Sequence, residues 1–126
     1  MTAQFNHTII ASIDAQHMAE FYTDLLEAKP APSWGPFCNI ILDHGVMLQF
    51  AAPPTDFPPQ HYAFLLSDAH FDRAYQKIRA TQRKHWADPQ REHPGTINHE
   101  HGGRGVYLLD PSGHYLELIT KEYIPG

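Results

Sequence analysis

Cysteine is nearly absent from this chain of 126 residues: Cys38 stands alone, which excludes an internal disulfide and fits a reducing compartment. Its expected place is that of a small buried hydrophobe. Long apolar runs are missing too. None approaches the roughly 18 residues that a membrane helix needs, so no membrane partner is expected. The opening residues, MTAQFNHTII, lack a basic stretch leading into an apolar one, so no secretory signal and a cytoplasmic location are expected. Positive charge is sparse: nine Lys plus Arg against 14 Asp plus Glu leave a formal net charge of −5, and no basic cluster exceeds Arg83-Lys84. A nucleic-acid partner needs a basic face for its phosphates, so none is expected. What the chain has in excess is histidine, ten residues against those nine cations. The length suits one compact domain with a modest core.

Two stretches share one pattern. Phe5 to Ile10 and Gln60 to Leu66 each set a histidine, His7 or His61, at the start of a short apolar run with strand character. Asp14 and Asp68 come next at the same distance, each suited to cap a helix by accepting from the free N–H groups of its first turn. Helical spacing continues both copies, with Met18, Phe21, Tyr22, Leu25 and Leu26 in one stripe and Phe71, Ala74, Tyr75 and Ile78 in the other. His44 to Phe50 then matches Ser112 to Leu118. Gly45 and Gly113 suit hairpin turns, and Gln49 stands where the second copy has Glu117. A strand precedes each turn, Phe37 to Leu42 and Val106 to Leu109. The pattern predicts an α+β fold of two βαβββ modules, paired into a curved mixed sheet with helices on the outer face. Module one spans 5–51, a stiff linker with four prolines between Ala52 and Pro59 fills 52–60, and module two spans 61–121. The second copy is longer by an insertion between about Gln82 and Gly103.

Strand side chains alternate between faces, so Glu117 shares one with Tyr115 and Ile119, while Leu116 and Leu118 point to the apolar other side. Gln49 takes the matching face of module one. If the two sheets form one curved surface, equivalent positions converge, and His7, His61 and Glu117 meet with Gln49 nearby. Buried without partners, a carboxylate and two imidazoles are costly; a divalent cation resolves both problems and leaves open positions for a bidentate ligand. Gln49, whose amide oxygen is a weak ligand beside a carboxylate, is expected to touch substrate or to support the ligands, with direct ligation as the alternative.

These residues resemble the vicinal oxygen chelate superfamily, which includes glyoxalase I, extradiol dioxygenases, fosfomycin-modifying enzymes and bleomycin-binding proteins. The resemblance covers Phe5 to Lys121. Its most specific stretch runs from Gly105 to Leu118, where Asp110-Pro111-Ser112-Gly113 looks like the family's closing turn and Glu117 its terminal metal ligand; Ala19 to Leu26 looks like its first helix. The resemblance implies the paired βαβββ fold, a metal held by His7, His61 and Glu117, and a homodimer, with module swapping an open alternative. Glyoxalase I carries a carboxylate at the position of Gln49, so lactoylglutathione isomerisation is not expected here. The three-ligand set is closer to the dioxygenases and fosfomycin enzymes, although extradiol dioxygenases are longer and no potassium-binding loop is recognisable.

The insertion is polar and ends in glycines, and beside an open metal it reads as a lid. His99 or His101 is a candidate general base near neutral pH, Arg104 a bidentate partner for an anionic substrate, and Tyr107 a donor to a ligated oxygen. Trp34 and Met47, with Phe37, Phe50 and Phe64, are candidates for an apolar pocket wall. His44 and His114 flank the turns and are expected to face solvent. The expected function is metal-dependent chemistry on a small oxygen-rich molecule, by bidentate chelation to Fe, Mn, Zn or Ni, with isomerisation, ring-opening oxygenation and epoxide opening all fitting. The alternative is a metal-free drug- or metabolite-binding protein. No residue names the substrate.

Overall fold

The computed structural model describes residues 1–123, and the chain divides into two compact units, Met1–Pro58 and Pro59–Gly126. The first contains β1 (His7–Ala11), α1 (Ala15–Leu26), β2 (Lys29–Pro30), β3 (Cys38–Ile41) and β4 (Met47–Ala51). The second contains β5 (His61–Leu65), α2 (Asp68–Ala80), β6 (His85–Trp86), β7 (Gly105–Leu109) and β8 (Tyr115–Ile119). Each unit is thus a βαβββ module with its own four-stranded sheet, in the orders β1-β4-β3-β2 and β5-β8-β7-β6. In both, the first strand runs parallel to the last and the other pairings are antiparallel. No helix among the described residues is long and apolar enough to cross a membrane.

Side-chain alternation along the strands decides what is buried. Ile10, Ile40, Leu48 and Phe50 share one face of the first sheet, and α1 buries Met18, Tyr22 and Leu25; the Tyr22 and Phe50 rings pack 4.8 Å apart. Val106, Leu108, Leu116 and Leu118 share the corresponding face of the second, with Phe71, Ala74 and Ile78 buried on α2. Full burial of one such side chain contributes roughly 1.5–3 kcal/mol, so each module rests on several such contributions. The opposite faces are left for chemistry.

Several expectations need correction. Asp14 caps α1, accepting from the His17 N–H at 3.0 Å, but the cap of α2 is Ser67, whose Oγ accepts from the His70 N–H at 3.1 Å; Asp68 is the first helical residue. Phe50 belongs to the core rather than to a pocket wall. Cys38 is half-buried, with Sγ 3.6 Å from Gln16 Oε1. His44 is exposed as expected, whereas His114 is fully buried. It continues the core-facing row of Leu116 and Leu118. Its Nδ1 accepts the Gln60 N–H at 2.9 Å, and its backbone N–H donates to Asp110 Oδ1 at 2.9 Å. Gly45 and Gly113 do take positive φ, 79° and 89°, at the two turns.

Candidate active site

Glu117 sits at the centre of β8, in register with Ala63 on β5 and Tyr107 on β7, so all three share the face away from the core. His61 precedes Ala63 by two residues and lies on the same face, opposite Tyr115. Glu117 is only 3% exposed. A carboxylate so placed must be satisfied, because an unpaired one would be strongly destabilising. Here Oε1 stands 3.1 Å from His61 Nε2, while Oε2 accepts from the Tyr107 hydroxyl at 3.0 Å and from the Tyr123 hydroxyl. Burial, then the bonds to Tyr123 and Glu117, push the Tyr107 phenol well above its ordinary range. Burial and Glu117 raise Tyr123 as well. Both therefore stand as neutral donors.

The chemistry of this donor set suits a divalent ion. His61 offers a half-exposed imidazole, and Glu117 a carboxylate oxygen, as paired donors of the nitrogen and oxygen types that such ions take. The 3.1 Å between Nε2 and Oε1 brings the two donors side by side, where they would hold one ion together. Tyr107 and Tyr123 hold the other carboxylate oxygen, as hydrogen-bonded partners orient metal-ligating carboxylates. These residues fit an ion.

His7, the third expected ligand, opens β1 in the first unit and is exposed. Its Nδ1 lies 2.7 Å from Asn6 Oδ1. Gln49 is buried, in register with Ile9 and Asn39, and Met47 is half-buried opposite His7. Trp34 is 54% exposed at a turn closed by the Phe37 N–H to Trp34 carbonyl bond. His99 is exposed; His101 stacks on Tyr123, with centroids 4.0 Å apart. Arg104 is committed elsewhere. Its Nη1 bonds Asp72 Oδ1 at 2.7 Å, its Nη2 bonds Asp68 Oδ1 at 3.1 Å, and its guanidinium lies 4.6 Å from the Phe71 ring centroid. The fork expected to hold an anionic substrate instead anchors the β7 end to α2.

The insertion is knit rather than loose. β6 pairs with β7, Trp86 bridges Pro94, and Asn98 bridges Gly105. Its turn places Arg91 over the rings of Trp86 and Tyr115, with the guanidinium carbon 5.7 Å from each centroid. A pocket of about 170 Å³ opens there, lined by His61, Trp86, Arg91, Tyr107, Leu109 and Tyr115 among others. Sequence reasoning misses Trp86, Arg91, Tyr115 and Tyr123 as site residues. For Tyr115 a signal exists, since it alternates onto the face of Glu117; for Trp86 the two-residue strand is too short to show a period.

The profile of the Glyoxalase/Bleomycin resistance protein/Dioxygenase superfamily matches residues 4–118. Glutathione transferase FosA of Serratia marcescens is 27% identical over 124 residues, covering 94% of this chain and 81% of that protein. Among solved structures, Oxidase ChaP-H2 superposes with a TM-score of 0.92 at 44% identity, covering 98% of this chain and 97% of its own. Oxidase ChaP-H1 gives 0.91 at 43%, covering 98% and 100%.

Proposed function

Because the chain belongs to the Glyoxalase/Bleomycin resistance protein/Dioxygenase superfamily, we propose that it is a metal-dependent enzyme of the vicinal oxygen chelate type that oxidises a small molecule bearing two neighbouring oxygens. The observation that carries this reading is the buried Glu117 carboxylate paired at 3.1 Å with His61 on the face opposite the core. His7, exposed at the start of β1, is the third ligand in this reading, supplied by the same chain or by the partner in a homodimer. Oxidation is preferred to isomerisation for two reasons. The relatives at 43–44% identity are named oxidases, and Gln49 stands where glyoxalase I has a carboxylate.

An ion held by these residues would supply Lewis acidity to a substrate oxygen. The chain supplies the rest. Glu117 and His61 fix the donor positions, and the Tyr107 and Tyr123 hydroxyls restrain the carboxylate from behind. Tyr107 also lines the pocket, and in this reading its hydroxyl donates to a substrate oxygen in exchange for Glu117. Trp86 and Tyr115 wall the cavity and limit the water beside the reacting group. His101, whose ring packs on Tyr123, is the candidate for moving a proton beside the Tyr123 hydroxyl that bonds Glu117. The expected location is the cytoplasm.

The test is the metal content of untagged protein, compared with His61→Ala and Glu117→Ala. The expected result is about one ion per chain, lost in both variants, with dioxygen uptake tracking the metal. A wild type purified and reconstituted without measurable metal, yet binding aromatic ligands, would overturn the reading in favour of sequestration.

A further inference from the structure

Two arginines of module two differ in what they hold. Arg104 is neutralised by Asp68 and Asp72. Arg91 has only aromatic faces: its guanidinium lies over Trp86 and Tyr115, and no carboxylate pairs with it among the described residues. Its placement is enforced by the turn. Arg91 takes φ 62°, a left-handed conformation that is uncommon for a side chain of this size, and its N–H donates to the Asp88 carbonyl at 3.2 Å. The Asp88 carboxylate closes the same turn by accepting from the N–H groups of Glu92 and His93. An exposed, strained residue held this way, against the wall of a pocket that His61 and Tyr107 also line, is a candidate for recognition.

The pocket then limits the ligand. Its volume, about 170 Å³, is close to that of an apolar cavity that holds one benzene ring. Its walls are the rings of Trp86, Tyr107 and Tyr115 with Leu109. Its lining also includes the Arg91 guanidinium, which no described carboxylate pairs, and the His61 imidazole. We infer that Arg91 is a specificity-determining residue that selects a planar, single-ring ligand carrying an anionic oxygen group, held beside His61. The inference rests on the proposed function only in taking this face as the substrate side. A planar ring gains contact with the aromatic walls, and a carboxylate gains two parallel N–H bonds from the guanidinium, which an amide of the same shape cannot match.

The probes are salicylate and salicylamide, which share shape and differ in charge, with 2-hydroxycyclohexanecarboxylate as the non-planar anion. Affinities are measured by calorimetry on chelator-treated protein and again after metal loading. In the chelator-treated wild type, salicylate is expected to bind at least about tenfold more tightly than salicylamide or the cyclohexane acid. Arg91→Gln should bring the salicylate to salicylamide ratio near one, and Arg91→Lys should keep part of it. Equal binding of salicylate and salicylamide by wild type, or a ratio that survives Arg91→Gln, would overturn the inference; equal binding of the cyclohexane acid would remove its planar part. Metal content is expected to be unchanged in Arg91→Gln. Failure of the metal reading would therefore show as metal content unchanged in Glu117→Ala, a readout separate from the salicylate to salicylamide ratio of wild type and Arg91→Gln.

Discussion

The centres of the two modules occupy one register and carry different chemistry. In the first, Gln49 lies between Ile9 and Asn39; in the second, Glu117 lies between Ala63 and Tyr107. Both central side chains are buried, at 5% and 3% exposure. The first centre is neutral and incompletely paired: Asn39 donates to the Pro32 carbonyl at 2.9 Å, while its Oδ1 has no hydrogen-bond partner. The second is acidic and engaged at both oxygens, with three partners on one carboxylate. A polar pair on the sheet face is thus common to both copies, while the acid, the phenol beside it and the insertion that builds the pocket belong to the second alone. The backbone repeat sets where chemistry can stand; single side chains decide which copy performs it.

The sharpest way to break the comparison is to exchange the central residues. Glu117→Gln should give module two the neutral centre of module one and lower ion affinity by more than the roughly 10–100-fold that altering a supporting residue costs. Equilibrium dialysis against a fixed free-metal buffer measures it. Gln49→Glu should do the reverse damage, placing a carboxylate where Asn39 and Ile9 offer no charge. In metal-free protein at neutral pH we expect a loss of about 1–3 kcal/mol in urea unfolding. Burial raises the pKa of such a carboxylate, so the loss should shrink as the pH falls and the group protonates. An unchanged stability would mean that the two centres are electrostatically alike.

A smaller effect concerns the turn that only module two has. Burial raises the Asp88 carboxyl, but the N–H groups of Glu92 and His93, with the His93 ring, outweigh it and hold the group below its ordinary value. A depressed folded value means that this contribution is present above the unfolded carboxylate range and is lost as the pH falls through the folded one. Salicylate selectivity should therefore fade on acidification as the turn loosens and Arg91 loses its place. Asp88→Asn should weaken the selectivity at neutral pH and flatten its acid dependence. Selectivity retained in Asp88→Asn at every pH would show that the turn does not position the arginine.

How much of the fold and site is legible in the chain depends on which forces are local. Alternation along β8 and the 3.6-residue stripe of α1 are local, and they correctly separate Leu116 and Leu118 from Glu117. The same alternation, carried two residues further back, places His114 in the core; its position beside a turn suggests solvent instead, and the alternation wins. Arg104 fails differently. Its partners Asp68 and Asp72 lie more than thirty residues earlier on one face of α2, and no pattern around Arg104 announces them. The role of Arg91 depends on an uncommon backbone angle and on Tyr115 from another strand, both products of tertiary structure.

The helix caps provide the finest comparison, because the same task falls to different residues. Asp14 Oδ1 accepts from the third residue of its helix at 3.0 Å, and Ser67 Oγ does so at 3.1 Å. Both bonds satisfy one N–H that the helix itself cannot, so Asp14→Ala and Ser67→Ala should each cost about 1 kcal/mol. The two losses should differ in how far the helix start loosens. Asp68, next to the Ser67 cap, also accepts from Arg104, so the start of α2 keeps an anchor to β7 when the serine is lost, whereas α1 has no acidic residue in its first turn. Amide exchange should therefore accelerate more at His17 in Asp14→Ala than at His70 in Ser67→Ala. Equal acceleration would mean that the Arg104 bridge holds side chains without steadying the helix start.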